Sequence, residues 1–373
     1  MNKYVPVSEP NITKIEKEYM QEAIDSTWIS STGKFINLFE NSFSDYLKVK
    51  HSISVSNGTV ALHLALLALG IGEGDEVIVP NFTYIATANA VMYTGAIPIF
   101  ASFKNETLNI DDESMVKLIT NKTKAIICVH LYGNSCNIKR TQEIAKKYNL
   151  YLIEDAAEAI GTEYNGQKIG SYGDISTFSF YGNKTITTGE GGMVVTNSDI
   201  LADRVKILKD QGMSRVKRYW FEEIGYNYRM TNIQAAMGYG QMQRINELVE
   251  KKVENAKIYD ELLKNESGIK FIKTEDNSKN SFWMYSIILD EYDDEKRNVL
   301  MDELKRRGVE TRPFFYLMTE MPPYKNYRKD NQDYSLKCKI SNSGINLPSS
   351  TMLDKQDIEF VCSNLIEVMR KLK

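Results

Sequence analysis

The strongest constraint on the fold is the alternation of short apolar segments with helix-like segments between residues 53 and 155. Glu76–Pro80 is an almost continuous apolar run, which is typical of a strand buried on both faces of a parallel sheet. Further strands are predicted at Ile97–Ala101, Ala125–His130 and Tyr151–Asp155, with helical patterns between the later ones. This alternation predicts a wound, mostly parallel α/β sheet.

The C-terminal third of the chain has a different pattern. From Asn232 to about Lys264 the sequence predicts one long amphipathic helix that connects two domains. The remainder predicts a small α+β unit, with a strand at Ser281–Leu289, a helix at Glu295–Arg307 and a strand at Val309–Arg312. We therefore predict a large α/β domain, residues 1–240, and a second domain, residues 241–373, made of the connector helix and the small unit.

Charge and composition narrow the class of function. The 373 residues carry a net charge of -3, so the chain lacks the basic field that holds nucleic acid. Its first residues form no apolar signal-peptide core, and no run of about eighteen apolar residues could cross a bilayer. We expect a cytoplasmic protein without nucleic-acid or membrane partners. The four cysteines form no CxxC pair and, with three histidines, make a poor metal site, so no metal is predicted.

One lysine has an unusual sequence context. Lys184 lies in the segment Thr177–Met193 (TFSFYGNKTITTGEGGM), after a strand-like stretch and before a glycine-rich turn. In that strand Phe178 and Phe180 would face one side and Ser179 the other. A lysine held near apolar walls can lose its proton and attack a carbonyl carbon. Lys184 is therefore a candidate Schiff-base residue, and the alternative is a solvated loop lysine.

Other candidate residues fall at the ends of predicted strands. Asp155 follows the strand interior Tyr151–Ile153, and Tyr84 follows Glu76–Pro80, at the carboxyl edge where open α/β sheets place their ligands. The turn Asn57–Thr59 opens an apolar helix, and such a helix start suits a phosphate. A plain helix cap is the alternative for Asp155 and for this turn.

These segments belong to a set of motifs, which in chain order are SNGTVALHLAL (56–66), PNFTYIATANAV (80–91), EDAAEAIG (154–161), FSFYGNKTITTGEGGM (178–193) and GYNYRMTNIQAA (225–236). The set resembles the DegT/DnrJ/EryC1/StrS nucleotide-sugar aminotransferases, a family of fold-type I pyridoxal-phosphate enzymes. The likeness runs over nearly the whole chain. It implies a mostly parallel seven-stranded sheet, a small C-terminal α+β domain and the cofactor pyridoxal 5′-phosphate.

The resemblance also implies a role for each candidate residue. Lys184 would hold the cofactor covalently and then move a proton between substrate and cofactor. Asp155 would bind the protonated ring nitrogen, Tyr84 would stack on the ring, and Glu158 would lie near the phenolic oxygen. The residues implied to hold the phosphate are Gly58, Thr59 and Ser179.

In this family the phosphate also receives an asparagine from a neighbouring subunit, which by motif is Asn227 here. The resemblance thus implies a homodimer with shared active sites, and it leaves a tetramer open.

The family's substrates are nucleotide-linked keto sugars. The resemblance implies transfer of an amino group from L-glutamate to a 4-keto-6-deoxy sugar, with GDP-4-keto-6-deoxy-D-mannose the favoured acceptor and GDP-perosamine, an O-antigen lipopolysaccharide sugar, the product. Hydroxyl and aromatic groups suit a sugar ring, and cations suit a diphosphate. The candidate substrate contacts are Trp28, Ser31, Lys34, Arg218 and Arg229, and an ordinary surface charge is the alternative for the last three.

Three alternatives to this function remain at the level of sequence. The acceptor could be linked to dTDP or UDP. A sugar 3-dehydratase is disfavoured because family members with that activity carry histidine where this chain has Lys184. A non-catalytic member would be expected to lose Lys184 or Asp155, and both are present.

Overall fold

The computed structural model describes residues 3–327 and 334–372. Its strands are β1 (His51–Val55), β2 (Glu76–Pro80), β3 (Ile97–Ala101), β4 (Thr123–Val129), β5 (Tyr151–Asp155), β6 (Glu163–Tyr164), β7 (Gln167–Lys168), β8 (Ile175–Ser179), β9 (Gly192–Thr196), β10 (Ile269–Phe271), β11 (Ser278–Lys279), β12 (Tyr285–Leu289), β13 (Arg312–Pro313) and β14 (Gly344–Leu347). Its helices are α1 (Lys14–Asp25), α2 (Lys34–Leu47), α3 (Gly58–Ala68), α4 (Ala86–Tyr93), α5 (Asp112–Leu118), α6 (Ile138–Tyr148), α7 (Asp199–Leu208), α8 (Asn232–Met242), α9 (Ile245–Leu263), α10 (Asp294–Arg306), α11 (Ser335–Ser343) and α12 (Lys355–Lys371).

A seven-stranded sheet with the order β1-β9-β8-β5-β4-β2-β3 organises the chain up to residue 196. Neighbouring strands from β8 to β3 run parallel, whereas β9 is antiparallel to both β1 and β8. The predicted α/β class with a mostly parallel seven-stranded sheet is therefore confirmed. The smaller sheets have the orders β10-β12-β14-β13 and β11-β6-β7.

Helices cover both faces of the large sheet, which explains its nearly continuous apolar strands. In β2 the side chain of Ile78 joins a core with residues of α2, α5, α6 and α8. Its neighbours Val77 and Val79 join a core on the other face with residues of α3, α4 and α7. Alternate residues of the strand are buried on opposite faces of the sheet, so neither face of the strand requires polar side chains.

The small C-terminal sheet is antiparallel and has its own core with α9, α10 and α12. Two strands are shorter here than the sequence predicts. The segment from Ser281 to Met284 is not part of β12, because Phe282 has a left-handed φ of 49° and the Ser281 N–H donates to Gly133 O. Val309 instead forms an isolated bridge with Val5, so the N-terminal segment of the chain also packs into this core.

The prediction of one helix from Asn232 to Lys264 is wrong, because the helix is broken at Gln243–Arg244. Arg244 leaves helical geometry with φ -121° and ψ 9°, and its guanidinium pairs with the buried Glu16 at 3.3 Å. Helix α8 packs on α1 and α2, whereas α9 packs on α12, so one straight helix could not follow both surfaces. The predicted boundary near residue 240 stays a prediction.

Among the described residues, none of the helices combines the length and apolar composition that a bilayer crossing requires.

Candidate active site

The candidate site lies at the carboxyl edge of the parallel strands, where β5 ends at Asp155 and β8 ends at Ser179. The Asp155 side chain is buried, and its two oxygens are held separately. Thr87 Oγ1 donates to Oδ2 at 2.8 Å, and the Ala157 N–H donates to Oδ1 at 3.2 Å. Residues 156–161 are turns and irregular backbone with no helix, so the alternative of Asp155 capping a helix there is wrong.

Lys184 lies in the loop between β8 and β9, and its side chain is only 11% exposed. Its Nζ is 3.9 Å from Glu158 Oε1 and 3.7 Å from the centre of the Trp283 ring. The backbone N–H of Lys184 donates to Tyr181 O at 2.9 Å and fixes the turn that carries it. The alternative of a solvated loop lysine is therefore wrong.

Burial controls the electrostatics of this group. It lowers the pKa of Lys184, and the charges of Glu158 and Asp155 offset part of that effect. Burial raises the pKa of Asp155, against its hydrogen bonds and Lys184. Burial also raises the pKa of Glu158 to about 7, against the opposing charge of Lys184. A buried lysine whose pKa is lowered supplies the neutral amine that nucleophilic attack on a carbonyl requires.

Glu158 is oriented by the loop that follows β4. Its Oε2 accepts the N–H of Tyr132 at 2.8 Å, and Tyr132 has a left-handed φ of 54°. That backbone conformation turns the N–H toward the carboxylate. Glu158 is thereby fixed between a backbone donor and the Lys184 amine.

A second part of the site is the space where α3 begins beside the end of β8. Gly58 and Thr59 are the first residues of α3, and Asn57 caps the helix by accepting the Val60 N–H at 3.0 Å. A Cβ atom at Gly58 would lie 2.8 Å from Ser179 Cβ, so only glycine leaves this space open. The first N–H groups of a helix lack helical partners and favour an anion. The cap and the phosphate-binding interpretation are thus compatible.

Tyr84 lies at the rim of the site and is 57% exposed. Its ring is 5.8 Å from that of Phe315, which belongs to the segment after β13. The site therefore combines a buried amine, two buried carboxylates, an anion-binding helix start and an aromatic ring. This donor set fits pyridoxal phosphate, which requires a lysine, a partner for its ring nitrogen and a phosphate cradle.

Cys128, His130 and Cys136 form a buried group behind the strand end that carries Asp155, with donor atoms within 4.8 Å of one another. Their sequence spacing does not predict this proximity. The imidazole already has partners, since Nδ1 accepts the Cys136 N–H at 3.2 Å and Nε2 lies 3.2 Å from Glu154 Oε2. In addition, the backbone N–H of His130 donates a hydrogen bond to the backbone carbonyl of Asp155 at 3.2 Å. We interpret the group as a brace between the ends of β4 and β5.

Three of the predicted substrate residues meet at a cavity of about 540 Å³, which is lined in part by Ser31, Arg218 and Arg229. Lys206, Lys209 and Arg215 also line it, so the cavity is rich in cations. Arg229 forms an ion pair with Asp210 at 2.7 Å. The other two predicted residues do not line this cavity. Lys34 forms an ion pair with Glu22, and Trp28 is exposed.

Asn227 lies beside this cavity rather than beside Lys184. Its Oδ1 accepts the Arg229 Nε–H at 3.0 Å, and its backbone bridges to Asp210. Within residues 3–327 and 334–372, no hydrogen bond joins Asn227 to the residues around Lys184.

Sequence reasoning did not identify Thr87, Tyr132 or Trp283 as parts of the site. Thr87 could have been recognised, because it is a hydroxyl residue only three positions after Tyr84, near the end of the same predicted strand. Tyr132 could not have been recognised, because its role depends on a left-handed backbone conformation. Trp283 could not have been recognised, because it is distant from Lys184 in the sequence and only the tertiary structure brings the two together.

Comparison with known proteins gives consistent matches. Residues 10–366 match the profile of the DegT/DnrJ/EryC1/StrS aminotransferase family. GDP-perosamine synthase of Escherichia coli O157:H7 is 49% identical over 367 residues, 98% of each chain. GDP-perosamine synthase of Vibrio cholerae is 46% identical over 361 residues, 96% of this chain and 97% of that protein.

Solved structures agree with the fold. PseC of Helicobacter pylori, an aminotransferase involved in pseudaminic acid biosynthesis, superposes with a TM-score of 0.92 at 28% identity, covering 99% of this chain and 100% of that one. The PLP form of the putative sugar aminotransferase Spr1654 of Streptococcus pneumoniae has a TM-score of 0.92 at 27% identity, with coverage of 99% and 100%.

Proposed function

Because the chain belongs to the DegT/DnrJ/EryC1/StrS aminotransferase family and is a pyridoxal-phosphate-dependent aminotransferase, we propose that it transfers the amino group of L-glutamate to GDP-4-keto-6-deoxy-D-mannose, giving GDP-perosamine. One observation carries the choice of acceptor: GDP-perosamine synthases from different bacteria match at 45–49% identity and 96–98% of this chain. The cytoplasmic location expected from the sequence stays a prediction.

Bound pyridoxal phosphate supplies an electron sink that stabilises a carbanion at the substrate carbon. Lys184 is proposed to bind it covalently through Nζ and, once released, to take a proton from one carbon and return it to another. The lowered pKa of this buried amine supports that role, since Nζ must be neutral to accept a proton.

The two carboxylates are proposed to bind different polar atoms of the cofactor ring. Asp155 would keep the ring nitrogen protonated, and its bonds with Thr87 and Ala157 hold it in one orientation. Glu158 would lie at the phenolic oxygen, with Tyr84 against the ring. The phosphate would bind Gly58, Thr59 and the Ser179 hydroxyl at the start of α3, where only glycine leaves room.

We propose a homodimer in which Asn227 of one chain reaches the phosphate in its partner. Two features support it: Asn227 lies away from the Lys184 group of its own chain, and the segment before it exposes large apolar side chains. Val216 is 97% and Ile224 is 87% exposed, which is unusual unless another surface covers them. The exposed aromatic residues of the same segment are Tyr219, Trp220 and Phe221.

The cationic cavity of Ser31, Arg218 and Arg229 is the proposed site for the nucleoside diphosphate. Guanidinium groups bind phosphate oxygens in pairs, and the Arg229–Asp210 ion pair fixes one of them. Lys34 is proposed to contact the diphosphate after it leaves its ion pair with Glu22. The exposed Trp28 is proposed to contact the sugar ring.

A panel assay tests the proposal. Purified protein is incubated with L-glutamate and GDP-, dTDP- or UDP-linked 4-keto-6-deoxy sugars, and the products are weighed by mass spectrometry. We expect kcat/KM for the GDP substrate to exceed the others by roughly two or more powers of ten, because a pocket that hydrogen-bonds guanine leaves polar groups unpaired with another base. Equal values, or preference for dTDP, would overturn the acceptor and leave the aminotransferase intact. A dehydrated product would identify a 3-dehydratase instead.

A further inference from the structure

Trp283 is buried at the junction between the two main sheets and lies against Lys184. It belongs to the segment just before β12 and is 5% exposed. The Lys184 amine lies over its ring, 3.7 Å from the centre. This contact joins residues that are far apart in the chain, and none of the roles assigned above requires it.

The indole is fixed at several points. Its Nε1–H donates to the carbonyl of Asn183 at 2.9 Å, so the ring is tied to the residue beside Lys184. The backbone carbonyl of Trp283 accepts a hydrogen bond from Lys252 Nζ at 2.9 Å. Lys252 Nζ also donates a hydrogen bond to the backbone carbonyl of Ser349. The Tyr132 ring is nearly parallel to the indole, at 25° and 6.3 Å. Turning the ring away from Lys184 would break the Nε1–H bond to Asn183 and the contact with Tyr132, while the Lys252 bond holds the backbone of Trp283.

We propose that Trp283 is a positioning residue that holds the protonated amine of Lys184 on its indole face while that amine is not bonded to the cofactor. This inference rests on the proposed role of Lys184. An ammonium over the face of tryptophan is attracted by the negative ring face, most strongly where water is excluded.

The contact would stabilise the charged form of Lys184 during the proposed proton transfer. Lys184 must keep the proton that it takes until it can return the proton, yet burial disfavours its charged form. The titratable groups that face it are Glu158 and Asp155, which favour the charge, and Lys252, whose pKa burial and Lys184 lower to about 7. The indole attracts the ammonium without adding another proton acceptor, so it favours the charged form of Lys184.

The first test measures the titration of Lys184 itself. Full-length protein loaded with pyridoxamine phosphate, in which Lys184 is free, is methylated with formaldehyde and borane across a range of pH, and the Lys184 peptide is quantified by mass spectrometry. In Trp283→Phe, whose ring is apolar but attracts a cation less, we expect a lower pKa for Lys184. Its methylation at neutral pH should be about threefold faster. Tyr148→Phe is the control, because Lys147 lies over that ring at 5.2 Å and neither residue belongs to the proposed active site or dimer contact.

An unchanged Lys184 pKa in Trp283→Phe would overturn the proposal. Failure of the underlying function is seen separately: borohydride reduction of the pyridoxal-phosphate form should fix the cofactor mass on the Lys184 peptide. Cofactor mass on another lysine would reject the assigned role of Lys184, whatever the behaviour of Trp283.

A second measurement does not require Trp283 to be replaced. In full-length, cofactor-free protein carrying Trp28→Phe and Trp220→Phe, Trp283 is the remaining tryptophan. Its fluorescence should change with pH as Lys184 titrates, and Lys184→Met should remove that step. A titration unaltered by Lys184→Met would show that the amine does not rest on the indole.

Discussion

Asp155 makes hydrogen bonds that an amide could also accept, so its charge can be removed without removing its contacts. Asp155→Asn keeps an acceptor for Thr87 or Ala157 but cannot hold a proton on the cofactor ring. We expect pyridoxal phosphate to bind more weakly and kcat to fall by roughly two or more powers of ten, because charge stabilisation at the ring is lost. Cofactor titration and steady-state kinetics measure both. Unchanged kinetics would reduce Asp155 to a structural residue.

The raised pKa of Glu158 predicts that the stability of the protein depends on pH. Burial raises its folded pKa to about 7, so the folded protein binds a proton that the unfolded chain releases near pH 4.5. The free energy that this bound proton adds to folding is fully present below the pKa of Glu158 in the unfolded chain. It is lost as the pH rises through the pKa of Glu158 in the folded protein. Cofactor-free Glu158→Gln should therefore gain stability relative to the parent between pH 5 and pH 8, by up to roughly 3 kcal/mol. Thermal unfolding of both proteins across this range measures the difference.

A constant difference across that range would contradict the raised pKa. Glu143→Gln is the control, because the Glu143 side chain stays largely exposed beside Arg140 in the folded protein.

At the residue scale, the sequence predicted Lys184 and Asp155 because each follows a recognisable strand at the sheet edge. It could not predict that Trp283 contacts Lys184, since their approach depends on how the small sheet packs on the large one. The sequence likewise gave no indication of Tyr132, whose left-handed backbone turns its N–H to Glu158.

The start of α3 is the element whose geometry can be tested most directly. Gly58→Ala adds a Cβ 2.8 Å from Ser179 Cβ at a position whose helical backbone angles alanine adopts readily, so it fills the space and Ser179 must shift to make room. We expect the fold to persist and the affinity for pyridoxal phosphate to fall by roughly tenfold or more, because phosphate cannot approach the helix start. Equilibrium dialysis of the cofactor measures this.

The control at this scale is Gly72→Ala, whose added Cβ would meet Thr94 O at an ordinary 3.8 Å. Normal cofactor affinity in Gly58→Ala would place the phosphate elsewhere.

Strands were easier to predict than the long C-terminal helix. The observed bounds of β2, β3 and β5 equal the predicted ones, because strands covered on both faces have apolar interiors that stand out in the sequence. The break between α8 and α9 was missed because the amphipathic pattern continues across it. What ends α8 is tertiary: Arg244 reaches Glu16 and Asn11, which lie more than two hundred residues earlier in the sequence.

At the scale of the whole molecule, the division into residues 1–240 and 241–373 remains our proposal. Separate cores for the large and small sheets support it. The shared active site of a dimer is not deducible from the pattern of one chain, because no intrachain contact marks a residue that serves a partner. That expectation came from the motif around Asn227, and the exposed apolar segment before it supplies independent support.

Mixing two inactive chains tests the shared site. Lys184→Ala should be inactive because it lacks the amine that binds the cofactor and moves the proton. Asn227→Asp should be nearly inactive because it directs a negative charge at the phosphate. In a hybrid dimer, the site with wild-type Lys184 receives wild-type Asn227 from its partner. Random exchange makes half the dimers hybrids with one working site of two, so about one quarter of wild-type activity should return.

The informative comparison is with both substitutions on the same chain. Mixed with wild type, that double variant makes hybrids in which each site lacks one of the two residues, so shared sites predict that exchange lowers activity below that of the unmixed wild-type portion. If Asn227 serves its own chain, the opposite holds: the double variant leaves the wild-type half of each hybrid active, and the two single variants never complement. Native mass spectrometry of the mixtures establishes the fraction of hybrids, so that absence of recovery with hybrids present counts directly against shared sites.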